Sequence, residues 1–176
     1  MPRQIADHTR RQRSDRIVAV REAAHAIVAY FIGYRIRRPA LMPGHTPLKF
    51  EHVRAASDKV RGIRRAENVI LICYAGPMAQ RRFAPKSHWR QDGAREFRTA
   101  ARLLGEIAGD HAWFRERHEQ WLRKTAESLV ERYWREINFL AEDLVRYRSL
   151  DKNGVRVSIA RSLGMTPAEI KRALAA

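Results

Sequence analysis

Five consecutive residues, Arg21-Glu22-Ala23-Ala24-His25, carry the spacing of a metal-hydrolase helix with one ligand exchanged. In the His-Glu-x-x-His arrangement, two histidines one turn apart hold Zn²⁺ from one helix face. The adjacent glutamate takes a proton from the metal-bound water and makes it nucleophilic. Here His25 stands at the second ligand position and Glu22 at the general-base position. The first ligand position is Arg21, whose guanidinium stays protonated and cannot bind a metal. The plain alternative for this pentapeptide is a partly buried helix with a hydrogen-bonded histidine and a solvated Arg-Glu face.

The residues around the pentapeptide have to form the helix that positions it. Met1 to Ser14 holds Arg3, Arg10, Arg11 and Arg13 and reads as a flexible basic arm, residues 1–14. Ser14 or Asp15 then caps a helix running to about Tyr34. Pro39, Pro43, Gly44 and Pro47 break helix, while Tyr34-Arg35-Ile36-Arg37 and Leu48-Lys49-Phe50-Glu51 alternate, which predicts a small β-hairpin after the first helix. A second helix is expected from after Ser57-Asp58 to Phe83, interrupted near Gly76-Pro77, and a third over about Ala94 to Ile107. The longest apolar periodicity runs from His111 to Tyr147, and Asn153-Gly154 reads as a turn before two short closing helices. The fold class expected is mainly α, in one domain over residues 15–155 with a helical hairpin over 156–176.

With these elements in order, four segments together resemble the peptidase domain of the FtsH-type ATP-dependent zinc metalloproteases. Ile17-Val-Ala-Val-Arg-Glu-Ala-Ala-His-Ala-Ile-Val-Ala-Tyr30 resembles that family's active-site helix. Asn68 to Gln80 is similar to its helix bearing Leu-x-Gly-Arg-x-Ala-Glu, with Pro77 and Gln80 replacing the Arg and Glu. Arg95-Glu96-Phe97-Arg98-Thr99-Ala100 resembles the Asn-Asp-Leu-x-x-Ala segment that supplies the third zinc ligand. Trp134 to Asp151 resembles the closing helix and its Leu-Asp-Gly turn. The resemblance implies a helical FtsH-type peptidase-like fold, with Glu96 at the third ligand position and Asp92, one turn earlier, as the alternative.

Arg21 then changes what the resemblance implies about activity. A fixed positive charge beside the site repels a divalent cation, so Arg21 is expected to replace the metal electrostatically by binding Glu96 or Asp92 through its fork. That predicts a catalytically degenerate protein without a cofactor, acting by binding a protein or peptide. The competing enzyme reading is a stand-alone zinc metallopeptidase with an altered ligand set: His25 and Glu96 with a recruited His45, His52, His88 or Cys73. No Gly-x-x-x-x-Gly-Lys-Ser/Thr loop occurs in these residues, so ATP-coupled proteolysis is not expected of them.

Charge supplies a third reading. Among the 176 residues, 35 Lys and Arg against 19 Asp and Glu give a formal net charge of +16, which implies an anionic partner such as nucleic acid. Trp89 and Trp113 could stack on bases, although tryptophan at helical spacing is more often core. Ala160, Gly164 and Ile170 fit a helix-turn-helix, yet only Lys171 and Arg172 offer long donors, so a hairpin that closes the domain is the simpler expectation. Cys73 is the only cysteine and excludes an intramolecular disulfide. Arg21, Glu22 and His25 interrupt the longest apolar stretch, Ile17 to Tyr34, so no transmembrane segment is expected. The first sixteen residues hold no apolar run behind their charges, so no secretory leader is expected, and with the single cysteine making a reducing compartment the default, a cytoplasmic location is expected.

Overall fold

The computed structural model describes residues 2–34 and 59–175, and the regular structure in them is helical. In chain order the helices are α1 (Pro2–Phe31), α2 (Lys59–Phe83), the single turn α3 (Trp89–Asp92), α4 (Ala94–Ala108), α5 (Ala112–Arg132), α6 (Trp134–Tyr147), α7 (Lys152–Ser162) and α8 (Pro167–Ala175). The fold is mainly α, as the periodicity predicts. The expected β-hairpin and the segment holding His45 and His52 lie outside the described residues.

Helix α1 is the centre of the molecule. Residues 12–18 are exposed or half-buried, but Ala19, Val20 and every residue from Ala23 to Ala29 are buried. The five alanines in that run let neighbouring backbones approach closely, so α1 packs against α2 on one side and α6 on the other. Both neighbours run antiparallel to it. His25 meets Ile72 while Tyr34 meets Arg65 on α2; on α6, Phe31 stacks on Tyr133 with ring centroids 3.9 Å apart while Arg16 lies 3.6 Å from Glu142. Helices α4 and α5 also pack on α2, and α7 packs on α6 with α8 upon it. Val155 and Ile159 of α7 belong to the same buried cluster as α1 and α6, so the first helix of the tail is part of the core.

Four boundaries differ from the sequence expectation, each for a local reason. Helix α1 starts at Pro2 rather than after Ser14, so the expected arm, residues 1–14, is helical from Pro2 onward. Proline suits a first helical turn, and the Arg, Gln and Ala that follow are good helix formers. Helix α2 runs unbroken through Pro77, although an interior proline costs about 3 kcal/mol through its missing N–H and its clash with the preceding turn. The packing of α2 against α1, α4 and α5 holds it together. The single long helix expected from His111 to Tyr147 is two, because Tyr133 leaves helical geometry at φ −103° and ψ 23°. That bend lets α5 lie along α2 and α6 along α1. Finally, Asn153-Gly154 is not a turn between elements but the first turn of α7, whose start is capped by Asp151 accepting from the Gly154 N–H at 2.7 Å.

The end of the chain follows its sequence signals closely. The Thr166 N–H and hydroxyl both donate to Glu169 at 2.7 Å, a capping box at the start of α8. Gly164, at φ +81°, makes the reversal between α7 and α8. Arg156 donates to the Ala173 carbonyl at 2.7 Å and ties the two helices together.

Candidate functional site

Three elements bring Arg21, His25 and Glu96 into one cluster. The first two residues lie one turn apart on α1, and Glu96 lies in the first turn of α4, which packs on α2. The Arg21 guanidinium donates to Glu96 Oε1, and the side chains are 16% and 4% exposed, so this is a largely buried ion pair. His25 is 2% exposed, and its Nε2 stands 3.6 Å from the same carboxylate oxygen, just beyond hydrogen-bond reach.

The ring of His25 is fixed from two sides. Its Nδ1 is 2.7 Å from the Ile72 carbonyl oxygen, which can only accept, so Nδ1 carries the hydrogen and donates. One turn further along α2, Gly76 lies against the imidazole: a Cβ built there would stand 2.1 Å from Nε2. A side chain at residue 76 and an imidazole at residue 25 therefore exclude each other. Neither the Ile72 carbonyl nor the role of Gly76 was visible in residue types alone. The signal for the second was a glycine inside an apolar helical run, which is unfavourable by about 1 kcal/mol unless a neighbour needs the space.

Electrostatics follow from this geometry. Burial pushes the Glu96 carboxyl up, but His25 and the Arg21 guanidinium outweigh it and hold the group down at about 2, against an ordinary 4.5. Glu22, half-buried beside the pair, moves the other way. Burial raises it and the Glu96 charge adds to that, with His25 and Arg21 opposing. A carboxyl held low stabilises the fold fully above its unfolded value and loses that contribution as pH falls through the folded value. The stability difference between the parent and Glu96→Gln is therefore expected to be constant above about 4.5 and to shrink between about 4.5 and about 2. Urea unfolding of both proteins across that window checks it; an unchanging gap would place the low carboxyl elsewhere.

The remaining candidates do not converge here. Asp92, the alternative ligand, accepts from the Gln80 amide at 2.5 Å. His88 is exposed just ahead of α3. Cys73 is buried, and its thiol is pushed up to about 12 by burial and by the Glu96 charge, so it stays protonated and is a poor ligand.

The donor set does not suit a divalent cation. The Arg21 guanidinium already holds the Glu96 oxygen that stands nearest His25 Nε2, and a fixed cation there repels a metal ion. Among the described residues, no three His, Cys, Asp or Glu side chains are grouped to hold a metal ion. What the arrangement does chemically is neutralise a buried carboxylate with a fixed cation and lock a histidine tautomer. The chain matches no model of a known protein family and no curated protein. Among the described residues, no helix is long and apolar enough to cross a membrane.

Proposed function

We propose that this chain is an FtsH-type peptidase-like protein whose metal position is taken by the Arg21–Glu96 ion pair, and that it acts by binding a protein or peptide rather than by hydrolysis. The observation that supports this reading most directly is the Arg21 guanidinium on Glu96 beside the buried imidazole of His25. These are the positions at which the resemblance expects first ligand, third ligand and second ligand. A cation built into the chain replaces one taken from solution, and it holds the carboxylate ionised without any water to activate. Glu22 at the base position is then a structural carboxylate, poised over no nucleophile. The lone, buried Cys73 suits a reducing compartment such as the cytoplasm.

Arg21→His tests the reading, because it exchanges the internal cation for an imidazole one turn from His25. Purified without chelator and titrated with zinc, Arg21→His is expected to take up about one zinc per chain and to melt at higher temperature with metal present, since metal binding is linked to folding. The parent protein is expected to take up none under the same conditions. Stoichiometric zinc in the parent would overturn the proposal in favour of an altered ligand set that draws on residues beyond this cluster. In that case, loss of peptide hydrolysis in Glu22→Gln would identify the base.

A further inference from the structure

The first half of α5 turns aromatic side chains to solvent where the sequence pattern predicts core. Trp113 is 71%, Trp121 51% and Phe114 41% exposed, whereas Leu122, Ala126 and Val130 carry the packing of the same helix. At about 100° per residue, Trp113, Arg117, Trp121 and Lys124 share the side opposite Leu122 and Ala126. The stripe therefore reads ring, guanidinium, ring, ammonium.

Its rings are held rather than loose. His118 stacks between Phe114 and Trp121, with centroids at 5.1 and 5.5 Å, and its Nε2 lies 2.9 Å from a carboxylate oxygen of Glu67 on α2. The Arg117 guanidinium stands 5.7 Å from the Trp113 ring centre. The second half of α5 is built differently. There Glu127 and Glu131 neutralise Arg81 and Arg82 across the groove to α2. Neither Arg117 nor Lys124 has a carboxylate within ion-pair distance among the described residues.

We propose that this face of α5 binds single-stranded nucleic acid, with bases stacking on Trp113 and Trp121 while Arg117 and Lys124 contact phosphates. Large aromatics held open to water gain nothing in folding and mark a binding surface. Free π-faces interleaved with cations are the arrangement that tracks an unpaired strand, since every base has a face to stack. A duplex keeps its bases stacked inside and offers these rings nothing. An interfacial membrane helix segregates its apolar face from its Lys and Arg face, whereas here rings and cations alternate along one stripe. The net charge of +16 favours a polyanion over a neutral protein surface. This inference is independent of the Arg21 cluster, whose residues lie on α1 and α4.

The test is fluorescence anisotropy of a labelled oligothymidylate titrated with the full chain at several salt concentrations, read together with intrinsic tryptophan fluorescence. Expected are binding that weakens steeply with salt, quenching of tryptophan, and a loss of about tenfold or more in the Trp113→Ala/Trp121→Ala double variant. Because both side chains are exposed, that variant is expected to melt as the parent does. Arg117→Gln/Lys124→Gln is expected to flatten the salt dependence. Absence of binding at about 50 mM salt would overturn the proposal. So would binding that ignores the tryptophan substitutions, which assigns it to diffuse charge. Tryptophan-dependent binding to anionic phospholipid vesicles but not to the oligonucleotide would assign the face to a membrane surface.

Discussion

Arg21→Ala is expected to lower the free energy of unfolding by about 3–5 kcal/mol, because it strands a buried carboxylate without its cation. Domains are stable by about 5–15 kcal/mol, so the loss is a large share of the total. Glu96 is 4% exposed and cannot turn to water, and its other close neighbour, His25, already donates its Nδ1 hydrogen to the Ile72 carbonyl. The unpaired carboxylate can relieve itself only by taking up a proton, so the variant is expected to recover part of its stability as the pH is lowered. Arg21→Lys should restore only part, since an ammonium is a point charge without the guanidinium fork. Arg21→Met combined with Glu96→Leu is expected to be far more stable than Arg21→Ala alone, because an apolar pair leaves no buried charge behind. Urea unfolding followed by circular dichroism reads all of these. A loss below about 1 kcal/mol for Arg21→Ala, the level of an exposed ion pair, would show that the pair does not stabilise the site.

Gly76→Ala should also destabilise the protein, although glycine to alanine in a helix ordinarily stabilises by about 1 kcal/mol. The new Cβ would lie 2.1, 2.5 and 2.8 Å from the His25 ring atoms Nε2, Cε1 and Cδ2. The ring cannot retreat: it is 2% exposed and anchored at 2.7 Å on Ile72. Relief therefore requires α1 and α2 to separate, which disturbs the alanine-lined packing of α1 on α2. Overpacking of this kind costs about 1–3 kcal/mol, occasionally more. A second substitution that empties the space, His25→Ala, should make Gly76→Ala nearly harmless, so the two changes are expected to be strongly non-additive. Thermal melting of the two singles and the double decides it. A Gly76→Ala protein as stable as the parent would mean that the imidazole is free to move.

The helical class was legible because amphipathic periodicity repeats over most of the chain, and it also gave the start of α4 at Ala94 and the two short closing helices. The division of α5 from α6 was not legible. No glycine or proline marks Tyr133, and the bend follows from two helices needing to lie along different partners. The solvent-facing tryptophans were misleading for a related reason. Spacing places Trp113 and Trp121 on one side of a helix, but it does not say which side the rest of the protein covers.

For the candidate site, the sequence by itself determined the chemistry. A guanidinium stands where an imidazole would be needed, and that exchange settles the charge of the position in any fold. The tertiary structure decided the partnership. Glu96, seventy-five positions along the chain from Arg21, meets it only because α4 packs across α2 onto the side of α1 that carries His25. It is also the packed α1–α2 contact that turns Nδ1 to the Ile72 carbonyl and makes Gly76 indispensable. Residue type fixes what a group can do, whereas burial and the neighbours imposed by packing fix which of those things it does.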